Sequence, residues 1–369
     1  MKILFLSSDH ADNPWFGGGE AYQINRLCSG LKENHEIEVV TPGWPGGPVR
    51  STVNGVQYRH GYRLPGKLCS RLGYCLRSLE RVSQGSYDIL VETISAFSPT
   101  FAPCVSRKPA IADFRLDPFE ALEKHPRAAP LLRARLKHNL RHFQGGIALS
   151  SSLASNIRKR CPFFPAIKVI PPGIDISRFE CQEGHENYIL YLGRIDIDHK
   201  GLNHLVEAFA RVKKDFPDIR LVIGGTGPDE RELKKLIHRA GIEQWVDFPG
   251  WVEGEKKVRL LQNCILVCMP SRREGWGQVA LEAAACGKPV VGYDITGLKD
   301  AVINGRTGLL VEPRDVNSLA QAVRKLIQDS ELRGRYGKAA RGGAEKLTWQ
   351  RTARLYDKAC KELERKSCE

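Results

Sequence analysis

Apolar and polar residues alternate along this chain in a way that predicts an α/β protein. Short apolar runs are separated by longer segments in which the apolar residues recur at helical spacing. The apolar runs of the first part are KILFLSS, IEVVTP, YDILVET, KPAIADF, GGIALSS and AIKVIPPG. Such runs between amphipathic segments are typical of buried parallel strands that helices connect. The pattern therefore predicts a parallel sheet covered by helices on both faces.

The alternation stops at the Pro-Pro-Gly sequence of residues 171–173 and begins again after a polar stretch. The runs of the second part are YILYLGR, IRLVIGG, VDFPG, ILVCMPS, KPVVGYD and GLLVEP. We therefore predict two Rossmann-like domains, residues 1–172 and 187–345, and a closing helix over 346–369. Ligands of open α/β sheets sit beyond the carboxyl ends of the strands, so two such domains predict a substrate cleft between them.

Charge is the unusual feature of the composition. The 369 residues include 56 Lys and Arg against 42 Asp and Glu, a formal net charge of +14. Residues 1–170 hold 23 of the basic and 13 of the acidic residues, so most of the excess lies in the first domain. Such an excess predicts an anionic partner: a phosphorylated substrate, a membrane surface or nucleic acid. Nucleic acid is disfavoured because no basic stretch has interleaved aromatic residues.

The sequence also bears on the compartment. No apolar run reaches the roughly 18 residues of a membrane-spanning helix, and the N-terminal run turns polar after six residues without a cleavage-like site. These features predict a cytoplasmic protein. Eleven scattered cysteines, an odd number, favour reduced thiols over disulfides. Cys264 and Cys268 lie in an apolar run without a nearby histidine, which disfavours zinc.

The most informative segment is SRREGWGQVALEAAACGKPVV, in which Glu274 and Glu282 are separated by seven residues. Gly275 and Gly277 allow the loop backbone to approach a ligand closely. The residues from Gln278 onward have helix-forming composition, and the free N–H groups at a helix start suit a diphosphate. Glu274 is placed to reach ligand hydroxyls from the loop, and Glu282 from the first turns of the helix.

A second motif, YLGRIDIDHKGLNHLVEAF, presents Arg194 and Lys200 after a predicted strand. Two cations at a strand end are suited to neutralising a diphosphate, and an arginine is able to bind two of its oxygens at once. The alternative is a pair of surface cations at a helix entrance. Asp196 and Asp198 spell the D-x-D sequence of some metal sites, but two acids alone supply too few oxygen ligands, so we predict no metal.

These two motifs, in this order, resemble the retaining glycosyltransferases of family 4, which have the two-domain GT-B architecture. The resemblance extends over EGWGQVALEAAACGKPVVGYDITGLKDAVINGRTGLLVEP. It implies that Glu274 contacts the transferred sugar, that Glu282 contacts the nucleotide ribose, and that Arg194 and Lys200 bind the diphosphate. The residues it implies for nucleotide-sugar binding are Gly18, Gly19, Gly275, Trp276, Gly277, Gln278 and Glu282.

Gly18 and Gly19 belong to the sequence FGGGE, which follows the first predicted strand and precedes an amphipathic segment. Such a loop exposes backbone N–H groups to an anion at a helix start. By itself a glycine triplet is more often a flexible turn. Beside the other motifs it is similar to the family's glycine loop, which closes over the donor phosphate and the acceptor site.

The sequence departs from the family at one place. Many members have a histidine near the transferred sugar after the strand that corresponds to KPAIADF, whereas this chain reads ADFRLD at 112–117. Asp113 and Arg115 are candidate sugar or acceptor contacts. A helix-capping aspartate and a surface arginine are the alternative interpretation. His125 lies too far along the chain to replace the missing histidine.

Two basic segments account for much of the charge of the first domain, RLPGKLCSRLGYCLRSLERV from Arg63 and KHPRAAPLLRARLKHNLRHF from Lys124. A basic amphipathic helix binds anionic lipid when its apolar face is free. In the second segment, where Leu132, Leu136 and Leu140 recur at helical spacing, we favour the alternative, in which the leucines pack on the protein's own sheet.

These features together predict a metal-independent, retaining hexosyltransferase without a cofactor, located in the cytoplasm and a candidate for the inner face of the membrane. Its expected partners are a UDP- or GDP-linked sugar donor and a glycan, glycolipid or small-molecule acceptor. Two alternatives remain open: a nucleotide-sugar hydrolase or epimerase with the same donor residues, and a non-catalytic protein that retains the fold and binds anionic membrane or nucleic acid.

Overall fold

The computed structural model describes residues 1–10, 12–15, 18–95, 100–122, 129–182, 184 and 186–368. The chain divides into two compact units. The first consists of Met1–Gly173 together with Trp349–Glu369, and the second of Ile174–Thr348. Each unit is an α/β domain with its own sheet, so the predicted fold class is confirmed.

The first unit contains one eight-stranded sheet in the order β3-β4-β2-β1-β5-β6-β7-β8, parallel except for the β3–β4 pair. Its strands are β1 (Lys2–Leu6), β2 (Glu36–Thr41), β3 (Arg50–Val53), β4 (Val56–His60), β5 (Ile89–Ile94), β6 (Ala110–Phe114), β7 (Gly145–Ala148) and β8 (Ile167–Val169). Its helices before the crossing into the second unit are α1 (Gly19–Leu31), α2 (Lys67–Ser83), α3 (Ala102–Val105), α4 (Pro118–Leu122), α5 (Ala129–Leu140) and α6 (Ser151–Arg160).

The hairpin of β3 and β4 is the part of this sheet that the apolar runs did not predict. Asn54 and Gly55 form its two-residue turn, and both have positive φ, 51° and 74°. An Asn-Gly turn of this kind matches the twist of the flanking strands. The hairpin lies at the sheet edge, where its alternating polar and apolar residues have one solvated face.

The second unit contains a six-stranded parallel sheet in the order β11-β10-β9-β12-β13-β14. Its strands are β9 (Tyr188–Leu192), β10 (Arg220–Gly224), β11 (Val246–Gly250), β12 (Leu266–Met269), β13 (Val290–Tyr293) and β14 (Gly308–Val311). Its helices are α7 (Ile197–Lys200), α8 (Leu202–Lys213), α9 (Glu230–Arg239), α10 (Gly254–Asn263), α11 (Gln278–Ala285), α12 (Leu298–Ala301), α13 (Val316–Gln328) and α14 (Ser330–Ala344). Each strand corresponds to one predicted apolar run.

The last helix, α15 (Trp349–Cys368), returns to the first unit and packs against α1. Gly30 makes this approach close, since a Cβ atom there would lie 2.8 Å from the Ala353 Cβ. Tyr356 and Cys360 of α15 are almost completely buried beside β1 residues such as Phe5. The predicted closing helix is therefore part of the core of the first unit.

The central strands of both sheets are buried on their two faces. All residues of β5, β6, β9, β12 and β13 are buried, as the uninterrupted apolar runs require. The ten cysteines whose side chains are described form no disulfide. Among the described residues, no helix combines the length and the apolar character that crossing a bilayer requires.

The second basic segment of the first domain forms α5 only from residue 129, and residues 123–128, which include Lys124 and His125, lie outside the described residues. Leu136 and Leu140 of α5 are buried and Leu132 is partly buried against the same core. These leucines therefore pack on the protein itself.

Candidate functional site

Two neighbouring strands at the centre of the second sheet lead into the loops that carry the predicted motifs. Chain order along the sheet reverses between β9 and β12, because β10 and β11 lie on one side and β13 and β14 on the other. Ligands of open parallel sheets bind at the carboxyl ends of the strands at such a switch point. Arg194 and Lys200 follow β9, and Glu274 follows β12. The fold therefore brings the two motifs to the same edge of the sheet.

Lys200 and Glu274 are in direct contact at this edge. Lys200 Nζ donates a hydrogen bond to Glu274 Oε1 at 2.7 Å, and the two side chains are 19% and 13% exposed. Burial alone raises the pKa of Glu274, but the Lys200 ammonium and a hydrogen bond from Ser271 outweigh it and hold that pKa below its ordinary value. Glu274 is therefore ionised at neutral pH, with its charge compensated by Lys200.

Gly201, the residue after Lys200, explains how the two loops come together. It has a φ of 63° and ends α7 in the left-handed conformation. A Cβ atom at this position would lie 2.0 Å from the carbonyl oxygen of Pro270, which directly follows β12. Only glycine combines this backbone conformation with so close an approach. The Lys-Gly sequence thus fixes the ammonium against the loop that carries Glu274.

His199 is a member of the site that the sequence analysis did not identify. Burial, and then the positive charge of Lys200, lower the pKa of His199 to about 4, so its imidazole is neutral at neutral pH. Its carbonyl oxygen accepts a hydrogen bond from the Arg272 N–H at 3.0 Å, which ties α7 to the loop after β12 a second time.

Glu282 lies on α11 with only 4% of its surface exposed. Lys257 of α10 donates a hydrogen bond to Glu282 Oε1 at 2.7 Å. Burial raises the pKa of Glu282, whereas Lys257 and Arg178 act in the opposite direction. Lys257 was not predicted, because it belongs to no motif and precedes its partner by 25 positions.

The start of α11 is shaped by glycines. Gly277, with a φ of 89°, is the N-cap residue before the first helical residue, Gln278, and makes no side-chain cap hydrogen bond. Gly297, before α12, packs on the loop, since a Cβ there would lie 2.4 Å from the carbonyl oxygen of Glu274 and 2.6 Å from Gly275. The loop backbone is thereby held in place, and Gly277, as the N-cap residue, offers the helix N–H groups no side-chain acceptor of its own.

Trp276 lies in this loop and is 8% exposed. Its indole Nε1 is buried and has no hydrogen-bond partner among the described residues. Buried indole N–H groups are ordinarily paired. Trp276 thus provides an unused donor within the predicted donor-binding loop.

Arg194 differs from Lys200 in being exposed. Its carbonyl oxygen accepts a hydrogen bond at 2.8 Å from the hydroxyl of Tyr191, which is buried in β9. Within the described ranges, no ion pair or hydrogen bond involves the Arg194 side chain. The guanidinium is therefore available to a ligand while its backbone is anchored.

The D-x-D sequence has local structural roles. Asp196 caps α7 by accepting a hydrogen bond from the His199 N–H at 2.8 Å. Asp198 forms an ion pair with Arg272. One group of potential metal ligands in the described part of the chain is Cys104, His138 and His142, and it belongs to the first unit.

The glycine loop of the first unit is described in part, because Phe16 and Gly17 lie outside the described residues. Gly18 precedes α1 and Gly19 begins it, and both are exposed. Gly18, the N-cap residue of α1, makes no side-chain cap hydrogen bond. Glu20 is in the first turn, and its pKa is raised by burial even though Arg115 opposes the shift.

The other two predicted contacts, Asp113 and Arg115, are buried. Asp113, at the end of β6, is completely inaccessible, and its carboxylate pairs with Arg115 at 2.8 Å. Arg115 also donates to Gln23 Oε1 of α1 at 2.9 Å. Burial and the Asp113 carboxylate raise the pKa of Tyr356 on α15. The Asp113 side chain has no accessible surface and joins β6 to its neighbours, and its contact with a sugar or acceptor stays a prediction.

Comparison with known proteins agrees with this arrangement. Residues 17–178 match the family described as Glycosyltransferase Family 4, and residues 174–343 match Glycosyl transferases group 1. A D-inositol 3-phosphate glycosyltransferase of Pseudarthrobacter chlorophenolicus is 35% identical over 96% of this chain and 93% of its own length. One from Arthrobacter sp. is 36% identical over 52% of this chain, and the match spans about half, 49%, of its length.

Two solved structures with the same fold cover nearly the whole chain. Sucrose-phosphate synthase from Thermosynechococcus elongatus has a TM-score of 0.85 at 21% identity and covers 98% of this chain and 99% of its own. Anabaena HepE in complex with UDP-glucose has a TM-score of 0.78 at 19% identity, and the match covers 98% of this chain and 100% of HepE. From the two family matches and the near full-length relative, this chain belongs to the family 4 glycosyltransferases of GT-B architecture.

Proposed function

We propose that this chain is a retaining glycosyltransferase that moves a hexose-like sugar from a UDP- or GDP-linked donor to a lipid-linked, glycan or small-molecule acceptor. The observation that carries the proposal is the Lys200–Glu274 contact at the switch point of the second sheet, in the loop that leads to the Gly277 N-cap of α11. Relatives named as glycosyltransferases, and the fold shared with a protein solved in complex with UDP-glucose, support it.

In this proposal the cations act on the leaving group. Negative charge grows on the departing diphosphate as the glycosidic bond breaks, and preorganised positive groups lower the energy of that state. Lys200 is held in place by Glu274, and Arg194 has an exposed guanidinium on an anchored backbone. The N–H groups at the start of α11 add a partial positive charge. Because these groups supply the charge, the proposal includes neither a metal nor a cofactor.

Glu274 would then orient the transferred sugar. Its ionised carboxylate accepts hydrogen bonds only, so it is suited to sugar hydroxyl groups, which donate. Its charge remains compensated by Lys200 when the sugar binds, so that a negative group beside a diphosphate is tolerated. In a retaining reaction of this family, a phosphate oxygen of the leaving group is thought to take the proton of the acceptor. Glu274 is accordingly a positioning group in this proposal and not the general base.

Glu282 would bind the nucleotide ribose together with Lys257. The carboxylate is nearly inaccessible, and Lys257 occupies one of its oxygens. A ribose hydroxyl would therefore use the second oxygen or displace the ammonium. We expect Lys257 to affect nucleotide affinity as strongly as Glu282 does.

The charge excess of the first domain supports an anionic acceptor or an anionic surface near it. Residues 1–170 carry most of the net positive charge, whereas the charged residues proposed for the donor lie in the second unit. The protein would then meet its acceptor at the inner face of the membrane when that acceptor is lipid-linked.

The proposal is tested by calorimetric binding of a small panel of UDP- and GDP-sugars. Wild type should bind one of them, and Glu274→Gln and Lys200→Ala should weaken binding at least about tenfold, since each loses a charge-assisted hydrogen bond. Lys299→Ala is the matched control, because this lysine lies in the same unit in an exposed ion pair with Asp294. If no nucleotide sugar bound, the non-catalytic alternative would replace the proposal. If the sugar were transferred to water whether or not an acceptor was present, the hydrolase alternative would replace the proposal.

A further inference from the structure

Helix α2 packs on the first unit through a mixed polar and apolar side that leaves three of its leucines exposed. The large apolar residues that this helix exposes are three leucines: Leu68 is 81%, Leu72 56% and Leu76 47% exposed. The buried residues of the helix are Ser70, Gly73, Tyr74, Ser78, Arg81 and Val82. A surface helix of a globular protein ordinarily shows the opposite arrangement, with its leucines toward the core.

Three contacts fix this rotation of the helix. Gly73 lies so close to the preceding loop that a Cβ there would be 2.6 Å from the Tyr62 carbonyl oxygen. Ser70 donates to the carbonyl oxygen of Gly43 at 2.6 Å. Arg81 donates to Glu38 Oε2 of β2 at 2.7 Å. Turning the leucines inward would break all three contacts, so their exposure is built into the packing.

Leu68, Leu72 and Leu76 are spaced by four residues and form a continuous ridge, which we call the leucine face. The exposed apolar surface continues onto neighbouring elements. Helix α3 packs against α2, and Phe101 at its start and Val105 at its end are 37% and 48% exposed. A patch of this extent is typical of an interaction site rather than of scattered surface leucines.

Helix α5 borders the same patch. The Arg135 guanidinium lies 4.6 Å from the centre of the Phe101 ring, and Leu131 in the first turn of α5 is 76% exposed. Helix α5 therefore shows one apolar residue at its surface beside the Phe101 region, while its other leucines are buried or partly buried.

The charged residues of the segments around the leucine face are almost all basic. Residues 61–83, 100–108 and 129–142 contain eleven Lys and Arg and one acidic residue, Glu80. Lys67 is exposed beside Leu68, and Arg107 and Lys108 are exposed just after α3. Long cationic side chains at the border of an apolar ridge are able to reach lipid phosphates while their methylene groups stay with the apolar surface.

We propose that the leucine face of α2 docks onto the surface of an anionic lipid bilayer, with Leu68, Leu72 and Leu76 inserted at the headgroup boundary. Binding of this kind combines buried apolar area with attraction of cations to anionic lipid. Apart from Glu80, the charged residues of the surrounding segments are basic, which complements a negative lipid surface. The benefit of this docking, access to a lipid-linked acceptor, rests on the proposed function. The contact between the leucine face and the bilayer does not involve the donor residues.

The test is co-sedimentation of the full chain with phosphatidylcholine vesicles, with and without about 30% phosphatidylglycerol. The variant Leu68→Ser/Leu72→Ser/Leu76→Ser is compared with Val49→Ser/Val169→Ser/Ile303→Ser, a control in which three other apolar residues, 47%, 39% and 51% exposed, are changed. Wild type and control should bind the anionic vesicles. The leucine variant should bind them at least about tenfold more weakly, equivalent to about 1.4 kcal/mol.

A second variant, Lys67→Glu/Arg107→Glu/Lys108→Glu, leaves the leucines in place and should also weaken binding to the anionic vesicles. Equal binding of wild type and the leucine variant would overturn the proposal. So would a wild-type dimer in lipid-free solution that the leucine substitutions dissociate, because the face would then bind a second copy of the chain. Nucleotide-sugar binding measured without vesicles reports on the proposed function separately, and the leucine variant should retain it.

Discussion

Substitution of Gly201 by alanine tests how the two motif loops are held together. The residue has a φ of 63°, and a Cβ there would lie 2.0 Å from the Pro270 carbonyl oxygen. Gly241 is the matched control, since it has a φ of 66° in the same unit but nothing within 4 Å of its Cβ position. The two substitutions therefore share the cost of the left-handed conformation, and only Gly201→Ala adds a collision with backbone.

The expected magnitudes follow from this difference. An alanine in the left-handed conformation costs about 1 kcal/mol, which is all that we expect for Gly241→Ala. Overpacking adds about 1–3 kcal/mol, so Gly201→Ala should lower the free energy of unfolding by about 2–4 kcal/mol. The backbone relieves the collision by moving α7 away from β12, which lengthens the contact between Lys200 and Glu274. Gly201→Ala should therefore also weaken nucleotide-sugar binding, and Gly241→Ala should not.

The assay is urea unfolding of both variants together with calorimetry of the nucleotide sugar that wild type binds. Because both residues lie in the second unit, the same unfolding transition reports on both. Equal destabilisation by the two substitutions, with unchanged binding in Gly201→Ala, would refute the argument that this glycine positions Lys200.

Two further predictions concern buried charges of the first unit. Arg115→Met leaves the inaccessible Asp113 carboxylate without its cationic partner and should lower the free energy of unfolding by about 3–5 kcal/mol. The control Lys2→Met removes an exposed pair with Glu36 and should lower it by less than about 1 kcal/mol. Unchanged stability of Arg115→Met with lost acceptor affinity would instead make Arg115 an acceptor contact. Burial raises the pKa of Glu92 to about 7. The folded state therefore binds more protons than the unfolded state between about pH 4.5 and 7. The free energy of unfolding should fall by up to about 3 kcal/mol as the pH rises through that window. Urea unfolding at several pH values should show a shallower fall in Glu92→Gln, and a fall as steep as that of wild type would exclude Glu92 as its source.

Much of the fold follows from the sequence because buried parallel strands are continuous apolar runs. All six strands of the second sheet correspond to such runs, and so do six of the eight strands of the first. The exceptions are β3 and β4, which alternate polar and apolar residues at the sheet edge. Their signal is the Asn54-Gly55 turn, which specifies a hairpin by backbone conformation and not by hydrophobicity.

The site was predictable only where its residues lie in motifs. Glu274, Lys200 and Glu282 are recognisable by spacing, but Lys257 and His199 became apparent only when the fold placed them beside charged partners. The surroundings of Asp113 were not predictable for a similar reason. The sequence shows that it ends a strand, whereas its burial depends on Tyr356 of a helix more than 200 positions away.

The rotation of α2 was also beyond sequence reasoning. Its leucine periodicity alone favours packing of the leucines on the sheet. The observed orientation depends on the close approach of Gly73 to the Tyr62 carbonyl and on the Ser70 and Arg81 contacts, which are tertiary. The first basic segment, and not the second, is therefore the one with an exposed apolar face.

The most direct test of the central claim is transfer of a labelled sugar from the nucleotide donor that the protein binds to an acceptor, with the anomeric configuration of the product determined by NMR. The account predicts a glycoside with the configuration of the donor retained. It also predicts that Lys200→Ala and Glu274→Gln lower kcat/KM by about 100-fold or more while Lys299→Ala does not. An inverted product, or transfer that survives both substitutions undiminished, would contradict the account.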